Sequence, residues 1–475
     1  MNNFKPLCVD LDYTLVRTDL LHETFVDSIK QNPLNIFKAL FWLLKGRCYL
    51  KQKLYEISNV DIDSIPLNEE VVQYCKEQSE KGQHVYLVSA SSEKIIDQFL
   101  KKFSFFSDGW GSSGEHNLKG LKKAQFLVNK FGKKNFEYIG DSRADLAVWK
   151  EADKSLFVSY NNKIYKNISF SKVFNIKRNT FSKIIKTLRP HQYSKNMLLF
   201  GALILSHQYF NTVAIQNSIL AFLSFSLIAS SIYILNDITD LTNDRNHKIK
   251  KNRPIPSGEI TLPAAIGLGI FTNLAGFALS LYLPTTFTLS ISTYILLNIF
   301  YSYSFKRLPI FDVILLSAFY MIRLQAGGFA TGIYISHWLI TFSLFIFLSL
   351  GFLKRYSELF ELFHGQGLTT SKGRGYEVSD LTLILIFGVG TAQLSILSMI
   401  LYLFSENASK YYQNPKVLFL NAIIIFYWIT LMWFKGSKGK VNQDPVKYAI
   451  TDRTSILCGI SIIIILLFGK YIPSL

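Results

Sequence analysis

At 475 residues the chain is too long for one ordinary core, and its formal net charge of +18 comes with 49% hydrophobic and 15% aromatic residues. No basic stripe interleaved with base-stacking aromatics accompanies that charge, so nucleic acid is excluded as the partner, and anionic lipid or phosphorylated substrates fit better. The four cysteines, Cys8, Cys48, Cys75 and Cys458, show no paired metal spacing and read as reduced structural residues. Met1 to Lys5 leads straight into Pro6-Leu7-Cys8-Val9, too short for the apolar core of a secretory signal, so the first domain is expected to be cytosolic.

Leu7 to Val9 predicts a strand running into Asp10 and Asp12, which a strand would project to one side, where the pair can share a cation. Residues 20–80 form an insertion, expected as a small helical cap over the site. Within it, Ile36-Phe37-Lys38-Ala39-Leu40-Phe41-Trp42-Leu43-Leu44-Lys45 is too short to span a bilayer; it is expected to pack in the cap, with contact at the membrane interface as the alternative. Val85 to Ala90 predicts a second buried strand carrying the Ser89 hydroxyl at its end, and Tyr138-Ile139-Gly140-Asp141 a third ending in a carboxylate. Amphipathic helices lie between them. The fold is therefore expected to be α/β with a parallel sheet, its sites at the strand C-termini.

These residues resemble the haloacid dehalogenase superfamily: Asp10, Asp12 and Thr14 meet its DxDxT pattern, Ser89 its second-motif hydroxyl, and Gly140, Asp141 and Asp145 its fourth motif. Lys123 fits the third-motif lysine, with Lys119 as second choice. The resemblance implies a Rossmann-like phosphatase domain over residues 1–170 with a cap at about 20–80, followed by a linker at 171–188. It assigns Asp10 as nucleophile and Asp12 as general acid/base. Magnesium would be held by Asp10 and Asp141 with help from Asp12 through its backbone carbonyl, and the phosphoryl group by Ser89 and Lys123. A metal-bound carboxylate nucleophile, an acid for the leaving oxygen and fixed positive charge all suit phosphoryl transfer. A domain that only binds or regulates is the alternative, against which the presence of Asp12 stands.

From Asn196 onward about nine apolar runs approach the length a bilayer requires, at 196–210, 213–235, 261–283, 285–303, 310–330, 335–353, 379–404, 416–434 and 454–470. Lys and Arg crowd loops 236–260, 304–309, 354–378 and 435–453, whereas those near 207–212, 284 and 331–337 hold none and 405–416 holds only Lys410 and Lys416. That alternation predicts an integral protein of the inner (cytoplasmic) membrane, with the N-terminal domain inside and the C-terminus outside.

At the cytoplasmic end of the second run stands Asn236-Asp237-Ile238-Thr239-Asp240-Leu241-Thr242-Asn243-Asp244-Arg245. On one helix Asp237, Asp240 and Asp244 would share a face, and carboxylates so close repel unless cations intervene; oxygen-only ligands suit magnesium carrying a diphosphate. His247, Lys248, Lys250, Lys251 and Arg253 follow, then Pro254-Ile255-Pro256-Ser257-Gly258. The string NDxxDxxxDxxxxxKxxRPIPSG resembles the first motif of the UbiA superfamily, which implies an all-α transmembrane bundle over residues 189–475, with Asn236, Lys250 and Arg253 beside the diphosphate.

Quinone and haem prenyltransferases of that superfamily carry a second aspartate-rich motif, from which this sequence departs. Its place holds Tyr301-Ser302-Tyr303-Ser304-Phe305-Lys306-Arg307, a single acid Asp312, then Tyr320 and Arg323 before Ala326-Gly327-Gly328. With Arg189-Pro190-His191-Gln192-Tyr193-Ser194-Lys195-Asn196, Lys354-Arg355-Tyr356-Ser357-Glu358-Leu359 and the stretch Asp444 to Arg453, these features resemble the polyprenyl-phosphate phosphoribosyltransferase branch. The resemblance implies transfer of 5-phosphoribosyl from phosphoribosyl pyrophosphate to a polyprenyl phosphate. Lys306, Arg323, Lys354 and Arg355 are then candidates for the ribose phosphate, Tyr301, Asp312 and Tyr320 for the same site, and Lys195 for the lipid phosphate. An arginine within an apolar run is costly and usually functional, which singles out Arg323. Prenyl transfer from an isoprenyl diphosphate to an aromatic or small acceptor, beside a regulatory first domain, is the alternative; a ligand-binding sensor is a third reading.

Overall fold

The computed structural model describes residues 4–112, 118–160, 165, 168–303, 305–366, 375–441 and 444–473. Ser304, Lys372 and Arg374, and the side chains of Cys48, Tyr303 and Lys410, lie outside the described residues. The chain forms two compact units, Met1–Arg189 with Tyr233–Phe271, and Pro190–Ile232 with Thr272–Leu475.

The first unit is built on six parallel strands, β1 (Leu7–Val9), β2 (Val85–Ser92), β3 (Asp108–Ser112), β4 (Glu137–Gly140), β5 (Lys154–Tyr160) and β6 (Lys172–Ile176), in the order β3-β2-β1-β4-β5-β6. Leu7, Cys8, Val9, Val85, Leu87 and Val88 are all inaccessible, because helices cover both faces of the sheet and leave no polar side to alternate with. The helices of this unit are α1 (Leu20–Gln31), α2 (Asn35–Leu44), α3 (Arg47–Ile57), α4 (Glu69–Glu80), α5 (Glu93–Lys102), α6 (Leu121–Phe131), α7 (Leu146–Glu151) and α8 (Phe181–Leu188), of which α4 to α7 pack on the sheet. Residues 171–188, expected as a linker, hold β6 and α8, since Phe174 buries against the sheet and continues its core. The cap is also narrower than 20–80: α1 to α3 pack on one another, but α4 places Val71 and Cys75 in the core beneath β1 and β2.

The remaining helices are α9 (Gly201–Leu205), α10 (Thr212–Thr239), α11 (Leu241–Arg245), α12 (Leu262–Ser280), α13 (Thr285–Tyr303), α14 (Phe311–Thr331), α15 (His337–Gln366), α16 (Leu381–Leu403), α17 (Glu406–Tyr411), α18 (Phe419–Ser437), α19 (Pro445–Thr451) and α20 (Arg453–Tyr471). Seven of them, α10, α12, α14, α15, α16, α18 and α20, are long and apolar enough to cross a membrane among the described residues, and α13 fills the expected run at 285–303. The first expected run, 196–210, differs. Pro190–Phe200 winds as tight 3-10 turns and α9 ends at Leu205, with His207 at φ 59 turning the chain. Gly327 of α14 permits this path, because a Cβ there would lie 2.1 Å from the Leu199 carbonyl oxygen.

Candidate active sites

β1 and β4 are neighbours and end at Val9 and Gly140, so Asp10 and Asp141 leave the sheet side by side. Beyond Asp10 the chain makes a wide turn over Leu11–Leu15 with Tyr13 at φ 57, which takes Asp12 off the strand. The expected sharing of a cation by the Asp10 and Asp12 side chains is corrected accordingly. Asp12 accepts from the Leu20 N–H at 2.9 Å and the Ser91 hydroxyl at 2.8 Å. The carboxylates that meet are Asp10, Asp141 and Asp145, with one oxygen of each within 4.8 Å of the others. Asp145 also accepts from the Tyr138 hydroxyl at 2.7 Å and the Ser142 N–H at 3.0 Å, which fixes the loop carrying Asp141.

Lys123, buried on α6, stands 2.9 Å from Asp10 and donates to the Tyr138 hydroxyl at 3.0 Å, whereas Lys119 is exposed. Ser89 lies within β2 and not at its end; it is fully buried and its hydroxyl accepts from the Ser91 N–H at 3.0 Å. Burial pushes Asp10 up to about 6 against the pull of Lys123, and Asp12 up to about 7 with Asp19 adding to the effect. Burial, then Asp145 and Asp10, raise Asp141 well above the usual carboxylate range. Burial alone would lower Lys123, but Asp10 and Asp145 hold it above its ordinary value. Carboxylates that resist ionising together form an oxygen-only donor set that fits a small hard cation such as magnesium, with Asp10, Asp141 and Asp145 as its holders.

The second acidic group also belongs to the first unit. The expected single helix through its aspartates breaks at Asp240, where α10 stops and α11 begins, so the regular spacing does not set their geometry. Asp237 and Asp244 are nevertheless brought together by Arg253, whose Nη1 donates to both, at 2.9 and 2.7 Å. Arg189 donates to Asp237 as well, and Lys250 stands 3.8 Å from Asp244. Burial raises the Asp244 carboxyl despite Arg253 and Lys250. Asp240 adds to that effect from nearby, and Asn236 accepts the Asp240 N–H through its carbonyl at 2.9 Å.

Two partners of this motif carried no sequence signal. Arg245 makes a buried ion pair with Glu23 of α1 at 2.8 Å and donates to the Pro256 carbonyl. Gly258, at φ +73, lies so close to Arg17 that a Cβ would fall 2.7 Å from the Arg17 Cβ, which accounts for glycine at the end of the PIPSG string.

In the second unit, Asp312 is fully buried and accepts from Arg355 Nε at 2.5 Å and the Tyr376 hydroxyl at 2.7 Å. Arg355 also donates to Glu358 at 2.5 Å and to the Tyr301 hydroxyl at 3.1 Å, so its charge is already met by carboxylates. Arg323 differs: it is buried, and its hydrogen bonds run to Asn196 Oδ1, the Phe319 carbonyl and the Tyr294 hydroxyl, at 2.7 to 2.9 Å. The rings of Phe225, Tyr294 and Tyr320 surround it, with centroids 4.8 to 5.8 Å from its Cζ. Lys195 donates to Asp444 at 2.6 Å, and burial of Asp444 is outweighed by Lys195 and Lys354, which hold its carboxyl below the usual range. Lys306 is half-buried in the turn Phe305–Arg307.

Residues 197–431 match the UbiA prenyltransferase family. The protein y4nM of Sinorhizobium fredii, itself uncharacterized, is 31% identical over 460 residues, 96% of this chain and 89% of its own length. A decaprenyl-phosphate phosphoribosyltransferase of Corynebacterium glutamicum is 29% identical over 305 residues, 62% of this chain and 89% of its own. The solved structure of a UbiA homolog from Archaeoglobus fulgidus bound to GPP and Mg2+ is 18% identical, covers 60% of this chain and 98% of that one, and superposes with a TM-score of 0.47. The similarity to y4nM runs through both halves of the chain, and the family match over residues 197–431 identifies a member of the UbiA prenyltransferase family, which carries at its N-terminus an α/β domain whose motif residues Asp10, Lys123, Asp141 and Asp145 meet at the ends of a parallel sheet.

Proposed function

We propose that the membrane domain transfers 5-phosphoribosyl from phosphoribosyl pyrophosphate to a polyprenyl phosphate, and that the fused domain then removes the 5-phosphate of the lipid product. The observation that carries the donor assignment is Arg323, a buried guanidinium hydrogen-bonded to neutral atoms, in a unit where the lone candidate acid Asp312 is taken up by Arg355. A buried cation of this kind favours an anionic ligand such as a sugar phosphate, and the committed Asp312 argues against a second metal at that position. Similarity to the decaprenyl-phosphate phosphoribosyltransferase of Corynebacterium glutamicum supports the same reading.

In the transfer, the bond from ribose C1 to the diphosphate oxygen breaks and one from C1 to a lipid phosphate oxygen forms. The nucleophile is already an anion and needs no base. Asp237, Asp240 and Asp244 would hold Mg2+, which when bound neutralises the departing diphosphate, while Arg253 and Lys250 shift from these carboxylates toward the leaving group. In the phosphatase, Asp10 attacks phosphorus, Asp12 gives a proton to the departing O5, and Asp12 then takes a proton from the water that hydrolyses the aspartyl phosphate. A carboxyl held up to about 7 suits that exchange. Fusion raises the effective concentration of the second site for the product of the first. The Lys and Arg alternation supports a cytoplasmic first domain and an outside C-terminus.

The test is turnover of the purified full chain with labelled phosphoribosyl pyrophosphate and polyprenyl phosphate. Wild type should release diphosphate and inorganic phosphate, whereas Asp10→Asn should release only diphosphate and accumulate lipid-linked phosphoribose. Activity with an isoprenyl diphosphate and none with phosphoribosyl pyrophosphate overturns the donor assignment. Identical 5-phosphorylated lipid from both proteins overturns the role of the phosphatase.

A further inference from the structure

The apolar segment of the cap packs in the cap, as its sequence suggested, on one face only. α2 sits on α1 and α3 through Asn35, Ala39 and Trp42, one helical face, with Asn35 Nδ2 donating to the Ser28 carbonyl at 2.9 Å. The opposite face is open: Phe37 is 67% exposed, Leu40 58%, Phe41 56% and Leu44 86%. Such values belong with lipid-facing side chains of the crossing helices, such as Phe271 at 68% and Leu274 at 64%. α2 is also the one short apolar helix among the described residues. Its ten residues span about 15 Å, half of what crossing requires, so it can lie in an interface but not traverse it.

The surrounding charge selects the occupant. On and directly beside α2, from Pro33 to Leu50, the sequence holds Lys38, Lys45 and Arg47 and no Asp or Glu, whereas Lys51 and Lys53 of α3 are taken up by the Ala90 carbonyl and by Glu56. Two copies of this chain meeting through that face would bring like charges together, whereas an anionic bilayer surface attracts the same residues while its acyl boundary takes the apolar side chains. We propose that α2 is a membrane-docking helix, inserted parallel to the surface of the bilayer that the chain's own helices cross, and that it seats the phosphatase cap against anionic lipid. Lipid-linked phosphates are then the substrates nearest the cap entrance. The docking itself does not depend on which phosphate the domain removes.

The experiment uses the full chain in nanodiscs of phosphatidylglycerol and phosphatidylcholine containing lipid with a nitroxide near the top of its acyl chain. A fluorophore on Leu40→Cys, in a Cys48→Ser, Cys458→Ser background, should be quenched by the lipid nitroxide and protected from aqueous iodide, whereas one on Lys76→Cys should show the reverse. Replacing Lys38 or Lys45 by Gln should lower the ratio of inserted to free helix about fivefold at low salt, the effect of one basic residue near an anionic surface. Iodide access without lipid quenching overturns the proposal, and so does shielding from both, which would point to contact between copies. Should the cysteine variant misfold, a photoactivatable phosphatidylglycerol added to the unaltered protein must label residues 35–47; labelling confined to the crossing helices overturns the docking equally.

Discussion

Asp10, Asp141 and Asp145 share a single buried lysine, Lys123, whereas Asp237 and Asp244 are held by Arg253 with Arg189 and Lys250 beside them. Both clusters lie in the first unit, and Asp10, Asp145, Asp237 and Asp244 are all buried, so the difference is one of charge balance. In the first cluster carboxylates outnumber cations, and burial, reinforced by the neighbouring carboxylates, raises Asp10 and Asp141, a cost that a metal would relieve. In the second the protein supplies its own counter-charges. A free metal ion gains little there until an anion draws the arginines away, which is what a magnesium diphosphate would do.

The largest effect expected from this contrast is on transfer. Asp237→Asn and Asp244→Asn keep the shape of the side chains and a hydrogen bond to Arg253 but remove the charge, so the fold should survive while turnover falls on the order of 10^2 to 10^3. Diphosphate release at saturating magnesium measures it; near-wild-type turnover in either variant would sink the assignment of the acidic motif. The two buried arginines of the second unit separate next. Arg355→Ala takes the cation away from the fully buried Asp312, and should cost about 3 to 5 kcal/mol of stability, read by thermal unfolding in detergent. Arg323→Ala leaves no carboxylate stranded among its hydrogen-bond partners, so its main loss should be donor affinity, about 10- to 100-fold in KM for phosphoribosyl pyrophosphate. Equal destabilisation with unchanged KM would make Arg323 a packing residue.

Strand ends and apolar runs were legible because each has a local cause: Leu7 to Val9 and Tyr138 to Gly140 are apolar on both faces, and crossing helices need long uncharged stretches. What escaped depends on contacts made far along the chain. Nothing local tells that Glu23 meets Arg245, or that Asp12 turns to Leu20 and Ser91 and leaves its place in the cluster to Asp145. Periodicity also misled at Asp240, where a helix break replaces the regular face, and at α2 apolarity covered an exposed face as well as the buried one.

The smallest effect expected is a pH-dependent one on the first cluster. Asp10 and Asp12 keep their protons up to about 6 and about 7, whereas in the unfolded chain they would lose them near about 3.9. Between those values the folded state binds more protons than the unfolded state, so metal-free stability falls as pH rises from about 4 to about 7 and levels off above that. Magnesium binds the deprotonated carboxylates of its own cluster and must displace the proton of Asp10, so its stabilising effect should grow as pH rises to about 6 and beyond. Thermal unfolding of the full chain should therefore show a magnesium-induced rise of a few degrees at about pH 7.5 and less at about pH 5, lost in Asp141→Asn. Asp237→Asn should leave that rise intact, because the second cluster takes its metal only with diphosphate. A rise of equal size at both pH values, or one that survives Asp141→Asn and vanishes with Asp237→Asn, would reverse the comparison and make the acidic motif of the membrane domain the free-metal site.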